Sequence, residues 1–344
     1  MIKRRITGLV LSFILLISSC ENIFADSKYN KKLIDGDIKQ ISITLNKDVF
    51  KKSNDIVLIN ENALIDAISA TPLAYKLDAP IITTKSKKLD TETIDYIKDL
   101  GAKRVTIIGG TSHVSKTIEK NLQNIGLETN RIYGKDRYET SLMIAKEMNN
   151  INKDISSLLI INKRTGLENA LSIYSYAAKF NTPIVWSTDN DFKSIKKYIK
   201  KNNIKNIYAI GNSERFTYDI TNSIKNVQMI KEVNKSDTNI QMIKEIQKGE
   251  IKELYTINAD HNNMGCISLG VVAAKENMPI LVTGEFLSYS QEKFIQNYNI
   301  KDLIQVGYET KDYSIINTLL SKNFISASIL IVLILIIVFR AFKY

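Results

Sequence analysis

Two hydrophobic periods take turns along most of this chain. The runs IVLIN, LLIIN and LYTIN, ending at Asn60, Asn162 and Asn258, are apolar at nearly every position. Segments such as TETIDYIKDLG and FKSIKKYIKKN instead space their apolar residues three and four apart. Uninterrupted apolar runs fit strands buried on both faces, and the longer period fits amphipathic helices. Strands and helices in alternation predict a parallel sheet in an α/β layer arrangement.

The same pattern recurs three times. IVLINENALIDAISATPLAYKLDAPIITT aligns with LLIINKRTGLENALSIYSYAAKFNTPIVWST and with LYTINADHNNMGCISLGVVAAKENMPILVTG. Each copy predicts a buried strand ending in Asn, a variable loop, a helix of small residues, a proline and a second strand. The prolines are Pro80, Pro183 and Pro279, and a third strand closes on Gly109, Gly211 or Gly307. Two landmarks drifting in step mark repeated structural modules. A unit of this size is small for independent stability, so the three should pack on one another about a pseudo-threefold axis. The small residues Ala67, Ser69, Ala70 and Ala74 suit that close packing.

The two ends carry a different pattern. Lys3, Arg4 and Arg5 precede the apolar run ITGLVLSFILLIS, as in an export signal, so residues 1–25 are predicted as a signal segment. Ile17-Ser18-Ser19-Cys20 has the form of a lipobox, which makes Cys20 a candidate lipidation site. Ile23-Phe24-Ala25 offers a competing cleavage site. The run FISASILIVLILIIVF from Phe324 has no polar face and reaches about 19 residues with Ala341 and Phe342, enough to cross a ~30 Å hydrocarbon core. Residues 323–342 are therefore predicted as a transmembrane helix, with 343–344 as a cytoplasmic tail placed inside by Arg340 and Lys343. No L-P-x-T-G precedes it, so the anchor is expected to stay in the membrane. Between the ends the predicted modules are 38–130, 131–229 and 230–321.

Composition narrows the chemistry. Only Cys20 and Cys266 are present, which excludes a disulfide framework, and Cys266 falls in an alanine-like position of a small-residue helix. Setting aside Lys3, Arg4, Arg5, Arg340, Lys343 and Glu21 leaves 42 basic and 35 acidic residues, a net of +7. That balance suits wall polymer or lipid headgroups, and equally a solvated lysine-rich surface. IIGGTSHVS (Ile107 to Ser115) puts two glycines, Thr111 and Ser112 at a strand end before a helix, where α/β folds bind anions. Its spacing matches no dinucleotide or P-loop pattern. A tight turn with a Ser/Thr helix cap is the structural alternative. His113 and His261 have no metal-ligand spacing around them, and no nucleophile elbow or repeated carboxylate pair is found. No enzyme, cofactor, metal site or nucleic-acid partner is predicted.

APIITT, LGAKRVTIIGGTSHVS, RIYGKDRYETSLMIAKE and DAISATPLA resemble the cell-wall-binding repeat type 2 family of Gram-positive bacteria, over roughly Ile41 to Ser321. The resemblance implies three tandem Rossmann-like modules packed as a pseudo-trimer and noncovalent retention on an anionic secondary wall polymer. The family's G-x-D-R-Y-E-T motif falls on Gly134, Asp136, Arg137, Tyr138, Glu139 and Thr140. Its D-A-L-S motif falls on Asp66, Ala67, Ile68 and Ser69, and its G-G on Gly109 and Gly110. The implied polymer-binding set is Arg137, Asp136, Tyr138, Thr140, Asp66, Ser69, Gly109, Gly110 and Thr111. Arg137 suits phosphate or carboxylate groups; alternatively it pairs with Asp66 or Glu139 and knits two modules together. The pattern decays along the chain: Asp66 becomes Asn169 and Gly265, Gly110 becomes Asn212 and Tyr308, Lys235 stands at the arginine position of the third, degenerate module, and nothing clear precedes the first. The expected protein is a non-catalytic wall binder at the extracytoplasmic face of the cell membrane. The alternative is a membrane-anchored scaffold for a surface-protein partner that keeps the fold but has lost polymer binding.

Overall fold

The computed structural model describes residues 29–230, 234–259 and 264–312. The predicted signal segment with Cys20, the apolar run from Phe324 and His261 lie outside the described residues. Among the described residues no helix is long and apolar enough to cross a membrane. The described residues fall into two units, one of residues 31–310 and one holding residues 29–30 and 311–312. In the second, the Tyr29 hydroxyl donates to the Asp312 carboxylate at 2.6 Å.

The larger unit is built on three four-stranded sheets. The first orders its strands β3 (Ile81–Thr84), β2 (Asp55–Asn60), β4 (Arg104–Ile108) and β5 (Glu128–Ile132). The second repeats this with β7 (Ile184–Ser187), β6 (Ser157–Asn162), β8 (Asn206–Ile210) and β9 (Val227–Met229). The third runs β11 (Ile280–Thr283), β10 (Glu253–Asn258), β12 (Asp302–Val306) and then β1 (Asn30–Ile34). The first two sheets are parallel throughout, as are the β10 pairings in the third. Their order is that of a doubly wound sheet. The fourth strand of the last sheet thus comes from the start of the chain. Gly307 N donates to Ile34 O at 2.9 Å, the same bond that Gly109 N makes to Ile132 O in the first sheet.

Helices α1 (Ile38–Val49), α2 (Leu64–Lys76), α3 (Thr91–Leu100) and α4 (Lys116–Asn124) accompany the first sheet. Their counterparts in the second are α5 (Arg137–Ile151), α6 (Leu167–Lys179), α7 (Lys193–Asn202) and α8 (Glu214–Ser223). The third has α9 (Lys235–Ile246), α10 (Leu269–Glu276) and α11 (Tyr289–Asn297). Cys266 is buried as expected of a structural thiol, and burial pushes its pKa up to about 12. It does not lie in the α-helix itself: Met264–Ile267 form a 3₁₀ turn in place of the first α-turn. Gly265, a poor helix former, stands in that turn where the first module has Asp66.

One of the two edges of each sheet, strand β3, β7 or β11, would otherwise expose unpaired backbone groups beside the next helix. The helix opening each module covers it. Asn46 donates to Ile81 O at 2.7 Å, Trp186 N donates to Ser141 Oγ at 3.0 Å, and Val282 N donates to Asn239 Oδ1 at 3.0 Å.

The small-residue helices α2, α6 and α10 pack on one another pairwise, so they surround the expected pseudo-threefold axis. Thr71, Tyr174 and Gly270 hold equivalent places there. A side chain at Gly270 would overlap the Tyr174 ring and come within 2.9 Å of Thr71 Cγ2, so the glycine makes room for the tyrosine. Past the helix ends, Lys76 donates to Asn181 Oδ1 at 3.0 Å, Lys179 to Asn277, and Lys275 to Asp78. Three equivalent lysines thereby each reach the next module, and the third reaches back to the first. The Trp186 indole adds a tie between modules, donating to Ser69 Oγ at 2.9 Å and to Ile65 O at 3.2 Å. Ser268 donates to Ile81 O at 2.7 Å across the closing junction.

Candidate functional site

In the first sheet the chain leaves β2 and β4 in opposite directions, and such a reversal opens a crevice at the carboxyl ends of the strands. Asn60 ends β2 and shapes one lip. Its side-chain Oδ1 accepts from Asn62 N at 2.9 Å, and its side-chain Nδ2 donates to His113 O at 2.8 Å, which ties the two loops of the crevice together. Gly109 ends β4 with φ +105°, a conformation open to glycine, and begins the other lip. Arg131 on β5 donates to Gly109 O at 2.8 Å and pairs with Glu119 at 2.9 Å. The turn continues with Gly110, whose carbonyl accepts from His113 N and Val114 N at 3.0 and 3.1 Å. Helix α4 is capped by Ser115, which accepts from Ile118 N at 3.3 Å. The segment thus holds a tight turn followed by a serine helix cap, and the turn leaves Thr111 and Ser112 exposed.

Arg137 opens α5 beside this crevice, and the residues around it form a compact cap. Asp136 accepts from Glu139 N at 2.8 Å, and the Glu139 carboxylate turns back to accept from Lys135 N at 2.9 Å. That turn requires Gly134, where a Cβ would sit 2.5 Å from Glu139 Cβ. Thr140 is buried, donating to Asp136 O at 2.9 Å and accepting from Gly134 N at 3.0 Å. Arg137 itself is exposed and makes no hydrogen bond or ion pair among the described residues. Neither structural pairing weighed for it, with Asp66 or with Glu139, is formed: Glu139 faces its own loop, and Asp66 stays beyond ion-pair distance.

Asp66 is half-buried on α2 and accepts no hydrogen bond among the described residues. Desolvation raises its pKa above the ordinary carboxylate value, while the charges of His113 and Arg137 pull it down. Three groups from two modules therefore converge on one crevice: a partly desolvated carboxylate, an exposed imidazole and an unpaired guanidinium. The arrangement can bind a ligand that offers an anion to Arg137 and a hydroxyl or amide to Asp66. Among the described residues no cluster of His, Cys, Asp or Glu could hold a metal ion.

The nine implied site residues divide by position. Asp66, Arg137, Gly110 and Thr111 border the crevice, and Gly109 sets its turn. Tyr138 is half-buried against the core on the flank of α5. Asp136 caps the helix. Ser69 and Thr140 are buried, and their hydroxyls are engaged inside the protein. The second module lacks this crevice chemistry. Asn169 replaces Asp66 and is buried, and Asn162 accepts from Arg164 N and Thr165 N at 3.0 and 3.1 Å. The sequence motif also hid a feature of the first module. DGDIKQIS, from Asp35, opens α1 with a reciprocal capping box, Gln40 N to Asp37 at 2.8 Å and Asp37 N to Gln40 at 2.9 Å. Asp37, Asp136 and Asn234 are thus the same cap in three copies, with Ile38, Arg137 and Lys235 following it. The readable signal was an Asp or Asn three residues before a polar side chain.

A ring of doubly wound modules with a polar crevice at their junction defines a modular binding protein. The chain belongs to the Cell wall binding domain 2 (CWB2) family, which matches residues 38–119 and 131–220. It is similar to the solved structures of Cwp6 and Cwp8 from Clostridium difficile, each with a TM-score of 0.71. Sequence identities are 25% and 26%; the matches cover 82% and 88% of this chain, and 46% and 53% of those chains. It is also 26% identical over 267 residues to the N-acetylmuramoyl-L-alanine amidase LytC of Bacillus subtilis, covering 77% of this chain. The amidase enhancer of the same organism is 30% identical over 233 residues, 67% of this chain. The chain spans about half of the amidase (53%) and under a third of the enhancer (31%).

Proposed function

We propose that this protein binds an anionic secondary wall polymer noncovalently and without catalysis, at the extracytoplasmic face of the membrane. The observation that carries the reading is the unpaired guanidinium of Arg137, exposed beside a half-buried Asp66 at the junction of two modules. A planar donor fork suits phosphate or carboxylate groups, and Asp66 suits the hydroxyls of a sugar. Arg137, Asp66, Gly110 and Thr111 are the direct contacts in this reading; Gly109, Asp136, Tyr138, Thr140 and Ser69 hold them in place. Export through residues 1–25, with lipidation at Cys20 or cleavage after Ala25, and retention by residues 323–342 complete it. Membership of the wall-binding family supports the general role. The test is retention of the protein on purified wall sacculi before and after extraction of the secondary polymer. Retention should fall on stripped walls, and equal retention on both contradicts the reading.

A second reading is favoured by one observation: the Asp66 position is Asn169 and Gly265 in the other modules, so avidity from three equal sites is absent. On that reading the protein is a membrane-anchored scaffold for a surface protein. In-cell crosslinking that captures a protein in place of polymer supports it.

A further inference from the structure

Helices α3, α7 and α11 occupy the same place in the three modules, and the fold asks the same of each. Tyr96, Tyr198 and Phe294 fill the equivalent inward position and are buried. Their outward charges differ. Helix α3 carries Glu92, Asp95 and Asp99 against Lys98, a net of −2, and α11 carries Glu292 and Lys293, a net of zero. Helix α7 carries Lys193, Lys196, Lys197, Lys200 and Lys201 with no acid, a net of +5. Like charges three and four residues apart destabilise a helix. The lysine run is thus neither required by the fold nor favoured by the helix.

The same helix borders a groove of about 1070 Å³, which lies between α5 and α7. The corresponding space between α9 and α11 is about 390 Å³. Lys135, Lys146, Lys197 and Lys201 line the larger groove beside the carboxylates Asp136, Glu139, Glu147 and Asp191. Those carboxylates accept from Glu139 N, Lys135 N, the Asn150 amide and Lys193 N, whereas none of the four lysines makes an ion pair among the described residues. Its aromatic walls include Tyr138 and Tyr133, the latter 56% exposed. Asp136 and Tyr138 face this groove although the adjoining Arg137 does not line it, so the start of α5 has one side toward the groove and another toward the crevice.

We propose that the α5–α7 groove is a second binding site, for a sugar chain bearing phosphodiester groups, with lysines meeting the phosphates and Tyr133 offering a face to a sugar ring. This rests on the wall-polymer reading and extends it to a different surface. The groove's size is at or above the range of small-molecule sites, roughly 300–1,000 Å³, which leaves room for more than one sugar unit. A lipid surface would instead meet Lys193, Lys196 and Lys200, which do not line the groove.

The test compares the full chain, purified in mild detergent, with Lys197→Gln/Lys201→Gln, Arg137→Gln and the exposed control Lys116→Gln/Lys120→Gln. The probes are immobilised poly(glycerol phosphate), neutral dextran, wall sacculi and phosphatidylglycerol vesicles. The groove variant should bind poly(glycerol phosphate) roughly tenfold more weakly, as expected for about 1.4 kcal/mol, with a shallower salt dependence, and the control by less than about twofold. Groove and control variants that bind alike overturn the groove site while leaving the wall reading intact. Retention on sacculi without binding to poly(glycerol phosphate) overturns the phosphodiester assignment. Wild-type protein that ignores sacculi and poly(glycerol phosphate) overturns both readings, and lysine-dependent binding to vesicles alone reassigns the lysines to the membrane.

Discussion

Lys76, Lys179 and Lys275 hold one position in three copies and reach the next module three times over, whereas Asp66, Asn169 and Gly265 hold another and differ in charge and volume. The first set stands at the carboxyl ends of the helices that surround the axis, and the second where those helices begin, at the carboxyl ends of the sheets. Near the axis each module packs on both others, so a change in one must be met by a change in its neighbours. Gly270 and Tyr174 are such a matched pair. At the rim the position is half-buried in the first module and buried in the second, and the fold accepts an acid in one and an amide in the other. Shared residues here report how the ring is assembled, and divergent ones mark where the junctions differ in chemistry.

This contrast can be broken at the axis first. Gly270→Ala should cost about 2–3 kcal/mol through overpacking against Tyr174, read as a fall in the melting temperature. Tyr174→Ala in the same chain should recover part of that loss, a sign that the two share one space. Trp186→Phe removes the indole donor to Ser69 and Ile65 and should cost about 1–2 kcal/mol, measured by denaturant unfolding. At the rim the sign reverses. Because burial raises the Asp66 pKa in the folded state, its ionised form is destabilising at neutral pH. That penalty shrinks as pH falls through the folded value and is gone below the unfolded one, about 3.9. Asp66→Asn should therefore melt slightly higher than wild type at pH 7, with the gap closing toward pH 4. Asparagine at the equivalent position 169 shows that the fold accepts it.

Much of the scaffold could be read from the apolar runs, because strands buried on both faces leave no polar positions to blur them. Pro80, Pro183 and Pro279 marked the edge strands, and their carbonyls accept from Val57, Leu159 and Tyr255 N at 2.9–3.0 Å. Strand β1 was not legible as part of the third sheet. NKKLI has an ordinary mixed pattern, and its partner lies at the far end of the sequence, where only ring closure brings the two together. The cap at Asp37 was hidden because capping needs an acceptor and a polar partner, which IKQIS satisfies as well as RYETS. For the candidate site, the motif pointed to the right neighbourhood but not to each side chain's partner. Ser69 bonds to a tryptophan more than a hundred residues away, and Thr140 to its own loop. The freedom of Arg137 depended on where Asp66 and Glu139 turned, which no local pattern fixes.

Arg137→Gln, followed by thermal unfolding and by retention on polymer-bearing sacculi in the same preparation, tests most directly the claim that the rim serves binding and the axis serves the fold. The arginine is exposed and unpaired, so melting should stay within about 2 °C of wild type, as for a surface change of under ~0.5 kcal/mol, while retention falls several-fold. A marked loss of melting temperature with retention unchanged would contradict the account and make Arg137 a structural clasp between the modules.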